Sequence, residues 1–219
     1  LIPAELDRIA GETGAMALYV IPSLQNPTAV TLSAERRRGI AKVARQRDLW
    51  VIEDDPYSRL LDAPPPAITR WVPERGIYLA TLSKCLSPGL RTAYLVCPPG
   101  GPVERIGEAL RATALMPAPL MTAVVTTWIR EGVAETLLAG VRKEAQARRA
   151  GAAEILPAAR GSEDSIHVWL DLPPAWAADK LRRAAQDQGL ALVTAEAFAA
   201  GPQARDRLRD HAHLAAALM

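Results

Sequence analysis

The sequence at residues 49–57 reads LWVIEDDPY, an apolar run that passes directly into three acidic side chains. Short apolar runs of this kind predict buried strands. Pro56 lacks a backbone N–H, so it ends the strand. Open α/β sheets bind their ligands outside the carboxyl ends of their strands, and the acids at 53–55 therefore mark a candidate binding site.

Similar apolar runs lie at 18–21, 77–80 and 93–96. Between the predicted strands at 18–21 and 49–52, Ser33 can cap a helix that extends to about residue 47. The helical spacing predicts two faces, an inward one with Ile40, Val43 and Ala44 and an outward one with Arg36, Arg37, Lys42 and Arg45. Strand–helix–strand order favours βαβ units in a covered sheet, against which we expect Tyr19 and Trp50 to pack.

Helical patterns predominate in the second half of the chain. After about residue 103 we predict, in order, helices at 119–131 and 133–156, a strand at 166–170, a helix at 175–188, a strand at 190–193 and a helix at 204–218. Trp169 and Phe198 are predicted core residues. The chain is therefore divided near residue 115 into an α/β layer, residues 1–115, and a smaller α+β unit, residues 116–219.

Composition excludes several classes of protein. The chain has 219 residues, of which 49% are hydrophobic and 23% charged, a balance typical of globular proteins. The net charge of +2 argues against nucleic-acid binding by this segment. Apolar runs are shorter than the roughly 18–20 residues of a membrane span. Two cysteines form no disulfide framework, which favours a reducing, cytoplasmic location.

Four polar clusters follow successive predicted strands, at 25–28, 54–57, 81–84 and 87–91. Each cluster alone has an ordinary explanation as a turn, a helix cap or a solvated loop. The Ser83–Lys84 pair is not the Ser-x-x-Lys dyad of a hydrolase, because residue 81 is threonine. Together the clusters meet the needs of pyridoxal 5′-phosphate (PLP): a lysine for the Schiff base, a carboxylate for the pyridine nitrogen, and phosphate ligands.

In this order the clusters resemble the fold-type I, class I and II aminotransferases. The resemblance implies a PLP-dependent transferase-like large domain followed by a small C-terminal domain, and amino-group transfer between an amino acid and a 2-oxo acid. It implies that Lys84 is the Schiff-base lysine and that Asp54 pairs with the pyridine nitrogen. It also implies that Tyr57 and Asn26 donate to the phenolic oxygen of the cofactor.

The same resemblance implies that Thr81, Ser83 and Arg91 bind the phosphate.

Two positions depart from the family pattern. Ala29 replaces the usual glycine after Asn-Pro-Thr, and an alanine fits there if its φ is negative. Arg207 is the candidate for the arginine that grips the substrate carboxylate, although its surroundings read as a charged helix rather than the expected strand.

Residues 52–57 and 82–91 are also similar to the MocR group, regulators that join a DNA-binding winged helix to an aminotransferase-like domain. This resemblance leaves an effector-sensing domain with little or no turnover as the alternative function. Any DNA contact would then be made by an N-terminal domain outside this chain, and a homodimer is implied. Because the chain begins at Leu1 and matches only the second half of the family domain, we expect a fragment.

We expect His167, His211 and His213 to be surface residues, and no metal site.

Overall fold

The computed structural model describes residues 1–173, 176–201 and 213–217. The chain forms two compact units, the first from residues 1–23 and 31–141, the second from residues 24–30 and the described residues after 141. No helix in these described ranges is long and apolar enough to cross a lipid bilayer. The division into domains near residue 115 stays a prediction.

The first unit contains a four-stranded sheet in the order β1-β2-β3-β4. Its strands are β1 (Ala17–Val20), β2 (Trp50–Asp54), β3 (Gly76–Thr81) and β4 (Ala93–Val96). The first three strands are parallel, as the βαβ pattern favours, whereas β4 runs antiparallel to β3. All four predicted strands of this unit therefore form, each within about two residues of its predicted bounds.

The helices of the first unit are α1 (Pro3–Thr13), α2 (Ala34–Gln46), α3 (Val103–Ala114) and α4 (Pro119–Arg130), and the long helix α5 (Val133–Ile155) begins in it. Ser33 caps α2 as predicted, since its hydroxyl accepts the Arg36 N–H at 3.3 Å. The proline-rich stretch 56–75 is ordered and includes 3₁₀ turns at Ser58–Leu60 and Ile68–Trp71. A third 3₁₀ turn covers Pro88–Leu90.

The core of the first unit joins α1 and α2 to one face of the sheet. Leu6, Ile40 and Val51 are among its buried members. The inward face predicted for α2 is confirmed, because Val43 and Ala44 are buried with Ile40. Burial of these apolar side chains contributes about 1.5–3 kcal/mol for each large residue and holds the loops at the strand ends in place.

Arg37 is not on the outward face of α2, where the helical spacing predicts it. Its side chain is fully buried, with 0% of its surface exposed. The guanidinium donates to the carbonyls of Leu32 and Pro22, to the Ser23 hydroxyl, and to the carbonyls of Pro65 and Pro66. Burial of an arginine is tolerated here because these acceptors replace water.

The second unit contains a three-stranded antiparallel sheet and one helix. Its elements are β5 (His167–Asp171), α6 (Ala178–Asp187), β6 (Val193–Thr194) and β7 (His213–Ala217), and the strand order is β5-β7-β6. The helix predicted at 204–218 is therefore wrong over residues 213–217. Alanine favours helices, but pairing with β5 on one side and β6 on the other overrides that local preference.

Side-chain burial in the second unit agrees only partly with the sequence predictions. Trp169 packs in the core with Ala195 and Ala215, as predicted. Phe198 is 40% exposed and is not a core residue. His167 is buried rather than on the surface. It is the first residue of β5, and the two residues that follow it are buried as well. His211 lies outside the described residues.

Ala29 occupies a backbone conformation that favours glycine. Its φ is +56°, so the condition of a negative φ is not met, and the residue is also buried. The left-handed region costs an L-residue about 1–2 kcal/mol.

We expect Ala29→Gly to raise the free energy of unfolding by about 0.5–1 kcal/mol, since relief of this strain outweighs the added freedom of the unfolded chain. Chemical denaturation measures the change. Ala109→Gly, in the exposed interior of α3, is the control and should lower stability by about 1 kcal/mol. Equal losses in both variants would contradict the strain at residue 29.

Candidate active site

The candidate site lies on one face of the parallel part of the first sheet. Cα pairing places Tyr19 beside Ile52 and Asp54 beside Leu79. Because side chains alternate along a strand, Tyr19, Ile52 and Asp54 share one face, and Glu53 lies on the opposite, core-facing side. The carboxyl ends of β2 and β3 lie at the same edge, so the segments that follow them begin there.

Asp54 is half-buried at the end of β2. One carboxylate oxygen, Oδ2, accepts a hydrogen bond from the Tyr19 hydroxyl at 2.6 Å. Within the described ranges, the other oxygen, Oδ1, accepts no hydrogen bond from a side chain or backbone group. Partial desolvation of the hydroxyl, followed by its hydrogen bond to Asp54, raises the pKa of Tyr19 to about 12, although most of the residue is exposed. The phenol is therefore a proton donor at neutral pH.

Tyr19 was not predicted as a site residue. We expected it to pack against the sheet, but its side chain is 60% exposed. Its register neighbour Ile52 lies two residues before Asp54, which puts the tyrosine within reach of the carboxylate along the diagonal. Register between strands is set by three-dimensional pairing, so the sequence alone carries only a weak signal for this contact.

Tyr57 follows β2 and precedes the Ser58–Leu60 turn. It is buried, and burial, followed by the nearby charge of Asp54, raises the pKa of its phenol. Asp55 fixes this turn. Its Oδ1 accepts the Ser58 N–H at 3.0 Å and its Oδ2 accepts the Tyr78 hydroxyl at 2.9 Å.

Glu53 anchors the rest of the loop from the core-facing side. Its carboxylate oxygens accept the Ile68 and Thr69 N–H groups, each at 2.9 Å. Arg37 Nη1 lies 3.9 Å from Glu53 Oε1, and both side chains are fully buried. Burial lowers the pKa of Arg37 and raises that of Glu53, so desolvation opposes both charges. The three acids after the β2 apolar run thus have different partners.

The segment after β3 contains a pair of hydroxyls and the candidate lysine. The Thr81 hydroxyl donates to Ser83 Oγ at 3.0 Å, and the Ser83 N–H donates to Thr81 Oγ1 at 3.3 Å. Lys84 is half-buried in the turn that follows. Its ammonium group makes no side-chain hydrogen bond or ion pair with any residue that the structure describes. Cys85 is buried, and its thiol lies 3.7 Å from the Thr81 carbonyl.

Arg91 ends the 3₁₀ turn at Pro88–Leu90 and has a left-handed backbone, with φ of +46°. The Ser87 hydroxyl accepts the Gly89 N–H and stabilises the turn. Arg91 is exposed, and in the described part of the chain its guanidinium has no hydrogen-bonded or ionic partner. An arginine held on a tight turn in this way can bind an oxyanion.

Asn26 belongs to the second unit, in the segment at residues 24–30. Gln25 organises this segment: its Nε2 donates to the Asn26 carbonyl at 2.6 Å, and its Oε1 accepts the Thr28 N–H and hydroxyl. Arg207 lies outside the described residues. The first unit thus holds Asp54, Tyr57 and Lys84, and the roles of these residues and of Asn26 stay predictions.

The comparisons with known proteins agree with this architecture. The profile of the family described as aminotransferase class I and II matches residues 5–214. The Bacillus subtilis protein named uncharacterized HTH-type transcriptional regulator YdeF is 31% identical over 94% of this chain and 45% of its own length. The 2-aminoadipate transaminase of Thermus thermophilus is 32% identical over 88% of this chain and 51% of its own length.

Solved structures give the same result for the fold. The Pyrococcus horikoshii kynurenine aminotransferase, in complex with PMP, has a TM-score of 0.85 and 27% identity, and the match covers 98% of this chain and 55% of that one. LysN of Thermus thermophilus, an α-aminoadipate aminotransferase complexed with N-(5′-phosphopyridoxyl)-L-leucine, has a TM-score of 0.78 and 28% identity over 98% of this chain and 57% of its own. The chain spans about half the length of the relatives it matches. Its fold is the α/β fold of the PLP-dependent aminotransferases, and the chain belongs to the class I and II aminotransferase family.

Proposed function

We propose that this chain binds PLP and transfers an amino group between an amino acid and a 2-oxo acid, with Lys84 as the catalytic lysine. One observation carries the proposal. In this chain of the aminotransferase family, Asp54 ends β2 and Lys84 follows β3, so both lie at the same edge of the parallel sheet. Asp54 has one oxygen without a described hydrogen-bond donor, and Lys84 has no described side-chain partner. Ligands of open α/β sheets bind at such an edge.

The residues present fit PLP in charge and in hydrogen-bonding type. Asp54 Oδ1 is free to accept a hydrogen bond from a protonated ring nitrogen, and the paired hydroxyls of Thr81 and Ser83 can bind phosphate oxygens. Arg91 supplies a guanidinium that makes no ion pair with a described residue. Tyr57, with its raised pKa, stays protonated and can donate to a phenolic oxygen. Asn26 is proposed as the second donor to that oxygen.

PLP, when bound, accepts the amino group and acts as an electron sink for the bonds at the substrate Cα. Asp54 would keep the ring nitrogen protonated, because a carboxylate at hydrogen-bond distance favours the charged form of its partner. Thr81, Ser83 and Arg91 would hold the phosphate and so fix the cofactor's orientation.

Lys84 would act as the base that removes the proton from the substrate Cα. No described residue forms a side-chain hydrogen bond or an ion pair with its nitrogen, so the amine is not held away from a substrate at this edge of the sheet. General acid–base catalysis of this kind accelerates a reaction about 10²–10⁴-fold.

Arg207 remains our proposed ligand of the substrate carboxylate. We further propose that the protein acts as a homodimer in the cytoplasm and that residues 116–219 include a small α+β domain.

The second candidate function is effector sensing in a transcriptional regulator. The similarity to YdeF, and to two further Bacillus subtilis proteins named as HTH-type transcriptional regulators, favours it. The same residues would hold PLP, and DNA would be bound by a domain outside these 219 residues. Reading the gene upstream of the codon for Leu1 tests for such a domain directly.

The two functions differ in product formation. The PLP-loaded chain is mixed with single amino acids, including 2-aminoadipate, kynurenine and glutamate, and 2-oxo acid release is measured by chromatography. Amino-group transfer predicts up to one 2-oxo acid for each bound PLP before any acceptor is added. PLP binding with no 2-oxo acid from any amino acid would favour the regulator. Absence of PLP binding would contradict both functions.

A further inference from the structure

Tyr19 and Tyr78 both donate a phenolic hydrogen bond to an aspartate of the β2 carboxyl end, but on opposite faces of the sheet. Tyr19 reaches Asp54 at 2.6 Å and Tyr78 reaches Asp55 at 2.9 Å. Asp55 is buried and both of its oxygens are used within the fold. The Tyr78–Asp55 bond therefore has a structural role, and it offers a matched comparison for the other pair.

Asp54 differs from Asp55 in having only one oxygen engaged. Tyr19 occupies Oδ2, and Oδ1 has no partner among the described residues. A carboxylate held by one oxygen has a fixed plane, so the second oxygen points in a defined direction. The Tyr19 side chain is itself mostly exposed, and a large exposed aromatic ring contributes little to the core.

We propose that Tyr19 is a positioning residue: its hydroxyl holds Asp54 by Oδ2 so that Oδ1 is directed at the ring nitrogen of the cofactor. This inference rests on the proposed function, because it requires that Asp54 pair with PLP. The hydrogen bond from the phenol orients the carboxylate, and a carboxylate that faces the ring nitrogen favours the protonated nitrogen.

The charges around this pair support a neutral, donating tyrosine. Asp54 and Tyr57 are the titratable groups whose charges act on the Tyr19 hydroxyl, and both raise its pKa in addition to burial. Proton loss from Tyr19 would place two negative oxygens 2.6 Å apart. The phenol is therefore a donor throughout the pH range in which PLP chemistry is measured.

The test compares Tyr19→Phe with Tyr78→Phe in the full chain. For each, the dissociation constant of PLP is measured by titration, and ring-¹⁵N-labelled PLP reports the protonation of its nitrogen by NMR. We expect Tyr19→Phe to weaken PLP binding about 10-fold and to lower by about one the pH at which the ring nitrogen loses its proton. Tyr78→Phe should lower thermal stability and leave the nitrogen signal unchanged.

A third variant, Tyr19→Leu, separates the hydroxyl from the ring. If the hydroxyl positions Asp54, the Phe and Leu variants give the same loss of PLP affinity and the same ¹⁵N shift. Wild-type PLP affinity and nitrogen protonation in Tyr19→Phe, with or without a defect in Tyr19→Leu, would overturn the inference while the proposed function stands. Failure of the wild-type chain to bind PLP would overturn the proposed function instead.

Discussion

Replacing Lys84 with alanine is expected to reduce amino-group transfer roughly 10⁴-fold, because the variant lacks the residue that we propose as the base for the Cα proton. The fold should be retained. Lys84 lies in a turn, is only half-buried and makes no side-chain hydrogen bond with the described residues, so truncation removes no packing partner of the core. Single-turnover release of 2-oxo acid from the PLP-loaded chain measures the effect.

Lys42→Ala is the matched control for this variant. Lys42 is exposed on α2, in the same unit, and its loss should leave turnover unchanged. Small amines added to the Lys84→Ala protein should restore part of the rate, since they can supply the missing base. Wild-type turnover in Lys84→Ala would refute the assignment of this lysine.

Replacing Arg37 with methionine is expected to lower the free energy of unfolding by about 3–5 kcal/mol, the usual effect of removing one partner of a buried pair. The change leaves Glu53 as a buried charge without its cation. It also removes the donor to the carbonyls of Pro65 and Pro66, which connect the proline-rich loop to α2. Denaturant unfolding followed by circular dichroism provides the measurement.

Arg45→Met is the control for the loss of a charge from the same helix. Arg45 pairs with Glu74 at 2.6 Å, but about half of each side chain is exposed. Exposed pairs of this kind contribute about 0–1 kcal/mol, so Arg45→Met should have a small effect. Losses of equal size in the two variants would contradict the structural role of Arg37.

The strands of the first sheet could be predicted because each is a short apolar run followed by polar or turn residues. The α2 helix was equally clear from Ser33 and its apolar spacing. Arg37 was missed although its position, three residues before Ile40 and seven before Ala44, is on the apolar stripe. Its charge argued for the surface, and only the surrounding carbonyls, which come from distant segments, make burial favourable.

The C-terminal strand β7 could not be predicted from local preference. Residues 213–217 are mostly alanine, and their strand conformation depends on β5 and β6, which are distant in sequence. Pairing of this kind is a tertiary effect that no short window of sequence contains. By contrast, Pro3 and Gly14 are ordinary sequence signals for the start and end of α1.

The candidate site was predictable as a set of residue types and less so as an arrangement. The order of the acidic cluster at 53–55 and of Lys84 along the chain identified the edge of the sheet. The different partners of Asp54 and Asp55 follow from strand alternation, which becomes informative only when the register is known. For the same reason Tyr19 was expected to pack, whereas it donates to Asp54.

Borohydride reduction of the PLP-loaded chain, followed by peptide mass mapping, tests most directly whether Lys84 holds the cofactor. The chain offers four lysines, Lys42, Lys84, Lys143 and Lys180. We expect the pyridoxyl label on Lys84 alone at one equivalent of PLP, because Lys84 is the lysine that follows a parallel strand beside Asp54. A label on another lysine, equal labelling of all four, or no label at saturating PLP would contradict this assignment.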